Sequence, residues 1–375
     1  MKAIAAQEIV FRTDAALQIG TGHVMRCLTL AEALAERGAL CRFVCREHSG
    51  NLMELIRDRG FDAIGLPVES GRLATDASSD EPIGAHTTWL GAEWAVDAEQ
   101  ACAVLGAMDA DWLIVDHYAL DVRWERSLRS RCRRLMVIDD LADRIHDCDL
   151  LLDQNLGREP RDYAGLVPDC SAILVGPRYA LLRPEFAALR DYSLHRRVIP
   201  KLKHILIAMG GVDQTDVTSR VLEALKTCSL SRDIEITVVM GRHAPWLSNV
   251  RLLAAQMPWA VRVLVDVRDM AQIMADSDLA IGAAGTTSWE RCSLGLPALV
   301  VALADNQRES AAALEHTGAA FQVSGLESLE SGLKAGLGVL DESNKLSDMI
   351  RACARVTDGA GTSRVMSMMF EQHEQ

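Results

Sequence analysis

The sequence has no Cys-x-x-Cys pair among its ten cysteines, no long uninterrupted apolar run, only 5% aromatic residues and a deficit of positive charge. Without paired cysteines, neither a zinc knuckle nor a disulfide framework is signalled, and the thiols read as reduced, buried small hydrophobes. Cys41 and Cys45 fall on one face of a strand but lack a nearby His or a second pair, so no metal is assigned. No stretch approaches the roughly 18 uncharged apolar residues of a membrane span. Met1 to Val10 lacks a basic start followed by an apolar core. A soluble cytoplasmic protein with no membrane insertion is expected. The net charge of −13 leaves no clustered Lys/Arg surface for counterion release, so no nucleic-acid partner is expected.

What is present is a chain of 375 residues, 49% hydrophobic and 24% charged, long enough for two cores. Apolar runs of strand length follow one another with helical segments between them. They are Glu8 to Thr13, Cys41 to Cys45, Asp111 to Val115, Leu135 to Ile138 and Ile173 to Val175, then Ile205 to Met209, Ile234 to Val239, Val261 to Val265, Leu279 to Ile281 and Ala298 to Ala302. This alternation predicts an α/β fold with parallel sheets. The stretch Leu182 to Lys203 holds Pro184, Pro200 and a basic cluster, and marks the boundary. A first domain over 1–195, a second over 200–340 and closing helices over 341–375 are expected. Val68 to Gly91 reads as a long loop overhanging the first strand ends.

Two glycine turns carry the chemistry. Gly20-Thr21-Gly22-His23 joins the first strand to a helix predicted over Val24 to Arg37. The turn lacks the third glycine of a dinucleotide fingerprint, which Arg26 replaces, and no ribose-binding acid follows at the required distance, so no cofactor is assigned. His23, at the positive end of a helix, is suited to act in its neutral form as a general base. Asp14 is the candidate to orient it, or else pairs with Arg12 or Arg26 and holds the turn. The second turn, Gly282 to Glu290, leaves a strand and opens a helix, so that Gly285, Thr286 and Thr287 form a phosphate cradle. Glu290 would repel a phosphate and is assigned to ribose hydroxyls, unless Thr286 and Glu290 merely cap the helix. Tyr118 offers a hydroxyl and an aromatic face to an amido sugar, and Asn306 and Gln307 offer amides to sugar hydroxyls or N-acetyl groups. Asp139 and Asp140 are adjacent and point apart, which argues against a metal pair.

These residues resemble the hydrolases of pseudaminic acid biosynthesis that cleave UDP from 2,4-diacetamido-2,4,6-trideoxy-β-L-altropyranose. The resemblance runs over residues 8–320. It rests on Arg12-x-Asp14, Ile19-Gly20-x-Gly22-His23-x-x-Arg26-Cys27, Asp116-His117-Tyr118, Asp139-Asp140-Leu-Ala, Asp149 to Asn155, Gly176-Pro-Arg-Tyr179, Gly210-Gly211-Val-Asp213 and Gly282 to Glu290. It implies the glycosyltransferase-B architecture, two Rossmann-like domains whose parallel sheets face an inter-domain cleft. That architecture is shared with the lipid-linked N-acetylglucosaminyl transferase of peptidoglycan synthesis. It further implies that His23 activates water at the anomeric carbon, with inversion, loss of UDP and no metal. Val267 would then touch uracil, Thr286 and Thr287 hold phosphate and Glu290 the ribose. Gly210 and Gly211 would assist the leaving group, and Arg12, Gly20 and Gly22 belong to the substrate-binding surface. The expected partners are a UDP-sugar and UDP, and a monomer is expected. A UDP-sugar transferase of the same architecture and a non-catalytic UDP-sugar sensor are the alternatives.

Overall fold

The computed structural model describes residues 7–69, 86–106, 110–302, 307–323, 325–340, 342 and 344–371. It divides into two compact units, one built from 1–181 and 362–375 and the other from 182–361.

The first unit is a parallel sheet of seven strands: β1 (Glu8–Thr13), β2 (Leu40–Arg46), β3 (Asp62–Leu66), β4 (Ala110–Asp116), β5 (Cys132–Ile138), β6 (Leu150–Asp153) and β7 (Ala172–Val175). Their order across the sheet is β3-β2-β1-β4-β5-β6-β7. The chain winds outward from β1 on one side and from β4 on the other, so the β1/β4 pair is the topological switch point, where open α/β sheets bind ligands. Register aligns Thr13 with Asp116, so the residues leaving both strands emerge together. The strands bury side chains on both faces. Ile9, Phe11 and Phe43 pack on one side with the helix Gly22–Ala35, while Val10, Val44 and Val115 pack on the other with Trp124 and Tyr163.

The second unit repeats the plan with β8 (His204–Ala208), β9 (Glu235–Met240), β10 (Ala260–Val265), β11 (Leu279–Ala283), β12 (Ala298–Val301) and β13 (Ala320–Val323), ordered β10-β9-β8-β11-β12-β13. Here β8 and β11 flank the switch point. The two strands end in the glycine turns Gly210-Gly211 and Gly282 to Thr287.

Three strands went unread in the sequence. β3 and β13 are short edge strands, and β6 is four residues long, below the length at which periodicity separates strand from helix. The expected boundary between 195 and 200 moves back to Leu182. The helix Pro184–Arg196 buries Phe186 and Ser193, and Arg190 donates to the carbonyls of Ser293, Ala354 and Thr357, all in the second unit. The closing segment also divides. The helix Lys345–Val356 stays with the second unit, whereas Gly361–Glu371 returns to the first and places Val365, Met366 and Met369 against the core that holds Ile9 and Leu28.

That final helix is held to its sheet by burial of three side chains. Met369→Ala is expected to lower the unfolding free energy by about 2–4 kcal/mol, read as a lower midpoint in urea unfolding.

Candidate functional site

In the first unit, the helix Gly22–Ala35 begins directly after the turn at Gly20, where the backbone has φ +81° and the Gly20 amide closes on the Ala16 carbonyl at 2.8 Å. A side chain there would be strained by that backbone. His23 therefore sits in the first helical turn, almost fully buried, beside the exit of β4.

His23 Nδ1 lies 2.6 Å from Asp116 Oδ1. Arg26, one turn further along the helix, donates from Nε to Asp116 Oδ2 and from Nη2 to Asp116 Oδ1, both at 2.7 Å. Burial opposes ionisation of Asp116, but Arg26 and His23 outweigh it and hold the carboxyl well below the usual carboxylate range. An ionised Asp116 can only accept, so the Nδ1 contact requires the proton on Nδ1. Neutral His23 then presents the lone pair of Nε2, to which no described residue bonds. This is the arrangement by which a carboxylate fixes the tautomer of a basic imidazole.

Arg26 continues outward to Asp140 Oδ2 at 2.8 Å, and the Tyr118 hydroxyl donates to the same oxygen at 2.7 Å. The Tyr118 ring meets His23 edge-on with centroids 4.6 Å apart. His86 and Trp89 close this cluster, with Trp89 stacked on Tyr118 at 5.7 Å and His86 5.2 Å from Tyr118. Burial and Asp140 push the Tyr118 hydroxyl well above its ordinary value, so it acts as a donor. The other part of the predicted loop, 70–85, lies outside the described residues.

Asp14 is not the residue that orients His23. Its Oδ1 accepts from Arg12 Nη1 and from the Arg46 amide, each at 2.6 Å, and its Oδ2 faces His117 Nε2 at 3.3 Å. His117 Nδ1 accepts the Ala119 amide, which puts the ring proton on Nε2, toward Asp14. Arg12 is likewise removed from the substrate surface: it is buried, donating to Asp14 and, through Nε and Nη2, to both oxygens of Asp97. Asp97 also accepts from Arg46 Nη2 and Trp124 Nε1. Asp139 and Asp140 do diverge, Asp139 accepting from the Ala142 amide and the Tyr163 hydroxyl. Among the described residues no three His, Cys, Asp or Glu side chains are grouped to hold a metal ion.

In the second unit the two glycine turns differ. Gly210 has φ +95°, and the Gly211 carbonyl accepts from Gly241 so closely that a Cβ on Gly241 would stand 2.3 Å from it. The helix Val217–Leu225 that follows is capped from within. Asp213 accepts the Val217 and Thr218 amides at 2.9 Å each, so its own carboxylate already occupies the anion position at that helix end. The expected help from Gly210 and Gly211 to a leaving phosphate is reduced to their own backbone amides. Among the described residues no carboxylate accepts the amides of the turn after β11. Thr286, at the cap of the helix Thr287–Ser293, makes no side-chain capping bond and is exposed, so the capping-box alternative does not hold. Gly285 has its nearest neighbour 4.0 Å from an added Cβ, and that neighbour is Gln307 Nε2, which brings Gln307 to the same turn. Asn306 lies outside the described residues. Gly282 is required by packing, since a Cβ would meet Arg291 Nη1 at 2.5 Å and the Ala208 carbonyl at 2.6 Å. Glu290 is half-buried and no carboxylate–cation contact closes on it; burial pushes its carboxyl up to about 7, against the pull of Arg183 and Arg291. Val267 is half-buried just past β10, beyond Asp266, which accepts the Arg242 amide at 2.9 Å.

Sequence reading missed Asp116, Arg26 and Asp140 as the frame of His23. The available signal was the motif Asp116-His117-Tyr118 at the end of a strand adjacent to β1.

Residues 204–361 match the glycosyltransferase family 28 C-terminal domain, within the second unit. An uncharacterized protein of Methanocaldococcus jannaschii is 24% identical over 306 residues, 80% of this chain; the chain spans only 57% of that relative. The UDP-2,4-diacetamido-2,4,6-trideoxy-β-L-altropyranose hydrolase of Campylobacter jejuni is 24% identical over 311 residues, 83% of this chain and 97% of its own. A spore coat polysaccharide biosynthesis protein of Bacillus subtilis is 30% identical over 207 residues, 54% of this chain and 59% of its own. Among solved structures, MurG of Acinetobacter baumannii superposes with a TM-score of 0.67 at 16% identity, covering 97% of this chain and 99% of that one. The resemblance drawn from the motifs is thus met by sequence similarity, and the fold is the two-domain glycosyltransferase-B fold. No helix among the described residues is long and apolar enough to cross a membrane.

Asp97 pairs with two buried guanidinium groups, so removing its charge leaves Arg46 without a carboxylate and Arg12 with Asp14 alone. Asp97→Asn is expected to cost about 3–5 kcal/mol of stability. Asp14, Asp97 and Asp116 all ionise more readily folded than unfolded. Their contribution is complete above the unfolded value of about 4 and is lost as pH falls below it. Unfolding followed from pH 6 to pH 3 should show a steep loss of stability that is shallower in Asp97→Asn.

Proposed function

We propose that the chain is a nucleotide-sugar hydrolase that cleaves the anomeric C–O bond of a UDP-linked diacetamido-trideoxy sugar. The observation that carries this reading is the pair His23 and Asp116, 2.6 Å apart, with Arg26 keeping the carboxylate ionised. Water gives its proton to His23 Nε2 as its oxygen bonds to the anomeric carbon. The C–O bond to the β-phosphate breaks on the opposite face, and UDP leaves with the bonding electrons, inverting the centre. The imidazolium that forms is stabilised by Asp116. A nucleoside diphosphate leaves as a stabilised anion, so the second carboxylic acid that glycosidases use to protonate an alkoxide is not needed, nor is a metal. The turn Gly285 to Thr287 holds phosphate, Glu290 the ribose and Val267 the uracil. In the first unit Tyr118 and the turn Gly20 to Gly22 contact the sugar; in the second, Gln307 at the edge of the Gly285 turn offers it an amide. The similarity to the Campylobacter hydrolase supports the sugar, and the Bacillus spore coat relative supports a role in surface polysaccharide synthesis. The enzyme is cytoplasmic and monomeric in this reading.

A second reading, transfer of the sugar to an acceptor hydroxyl, is favoured by the match to the glycosyltransferase family 28 C-terminal domain. The same base would then deprotonate the acceptor.

UDP release from a panel of UDP-sugars, in excess chelator and in ¹⁸O-labelled water, tests both. Label in the free sugar is expected, with the rate falling about 10²–10⁴-fold in His23→Ala. Asp116→Asn, whose amide donates to Nδ1 and moves the ring proton to Nε2, should fall comparably while KM changes little. Release that awaits an added acceptor would favour transfer, and label in UDP would mean P–O cleavage and sink the mechanism.

Glu290 offers a separate check. Its carboxyl titrates near 7 and only the ionised form accepts two ribose hydroxyls, so its ionised fraction grows from pH 6 to pH 8. Uridine, which carries no phosphate to titrate, should bind up to about tenfold tighter at pH 8 than at pH 6, and Glu290→Gln should flatten that dependence.

A further inference from the structure

The basic stretch at the start of the second unit takes no part in the chemistry above. After the helix Pro184–Arg196, the chain runs through Arg197, Val198, Ile199, Pro200, Lys201 and Lys203 into β8. With His204 and Asp278 it lines a cavity of about 200 Å³. This cavity lies at the amino ends of β8 and β11, whereas the glycine turns leave their carboxyl ends. Five residues of strand at about 3.3 Å each set the two regions roughly 15 Å apart.

The charges around the cavity do not balance. Asp278 is already satisfied, its Oδ1 taking Arg196 Nη1 at 2.6 Å and its Oδ2 taking the amides of Lys203 and His204 at 2.9 and 2.8 Å. Arg197 is only 4% exposed and meets no carboxylate. Its Nη atoms donate to Ser193 and to the carbonyls of Met274, Ala275 and Ser277, and its Nε is buried without a partner. Burial and the neighbouring Arg196 lower its pKa to about 10 against the pull of Asp278 and Asp276, neither of which bonds to it. Lys203 pairs only with exposed Asp233 at 3.0 Å, and exposed Lys201 has no ion pair among the described residues. The unpartnered Nε–H of buried Arg197 and the ammonium groups of Lys201 and Lys203, all on residues that line the cavity, suit an anion with several acceptor oxygens.

We propose that this cavity binds a phosphate group, separately from the glycine-turn site. The phosphate belongs either to a soluble metabolite or to a lipid headgroup. Beside the cavity, Val198 and Ile199 are 71% and 75% exposed, an apolar step that a headgroup source would use and a soluble one would not.

Calorimetric titration of the whole chain with inorganic phosphate, and cosedimentation with vesicles of phosphatidylcholine with or without phosphatidylglycerol, test this. Phosphate binding in the millimolar range or tighter is expected, weakened about tenfold or more by Lys201→Glu, retained by Lys201→Arg and unaffected by Thr286→Ala. Binding only to phosphatidylglycerol vesicles, abolished by both Lys201→Glu and Ile199→Asp, would support the site with a headgroup as its source. Binding to neither probe would overturn the proposal, as would binding that Lys201→Glu leaves intact or that Thr286→Ala removes.

Discussion

The carboxylate of Asp116 is the constraint on which the first unit's site depends. It ends the strand beside β1, and it accepts from His23 and twice from Arg26 on the following helix. One buried anion thereby fixes a ring, a guanidinium and the start of a helix against the sheet. Burial alone would favour protonation of Asp116 and erase the contact's meaning. Arg26 reverses that preference, and the ionised Asp116 it maintains decides which imidazole nitrogen carries the proton. Arg26 also reaches Asp140, which Tyr118 meets, so the aromatic wall next to His23 hangs from the same guanidinium.

The two glycine turns of the second unit are not equivalent. Both of its glycine turns leave strands at the switch point, yet one is filled by the protein's own Asp213 carboxylate. Only the turn after β11 presents an uncapped Thr286 hydroxyl and an open glycine with Gln307 at its edge. Two turns that look alike in sequence thus differ in what they offer a diphosphate, because a single acid two residues past the second glycine folds back on the helix.

Much of this was legible from composition and spacing. The long strands, the first helix and the two glycine turns follow from apolar runs flanked by Gly and polar residues, because those strands are buried on both faces and read as continuous runs. Short edge strands such as β3 and β13 carry too few residues to show a period. The His23 turn was found because a histidine in a glycine turn has few structural uses. Of the two roles open to Asp14, pairing with Arg12 is the one observed, and Asp116 takes the other, because the pairing of β1 with β4 is a contact across about a hundred residues that local spacing does not encode. Arg12 and Asp14 sit in the same motif as His23, yet they belong to a buried ion cluster around Asp97 and not to the His23–Asp116 pair.

The return of the helix Gly361–Glu371 to the first core means that the second unit is, in chain order, an insertion within the first. As the polypeptide leaves the ribosome, the second unit can finish its sheet and close before the first has received its last helix. The core that holds Ile9 and Leu28 therefore receives Val365, Met366 and Met369 only after the whole second unit has been synthesised.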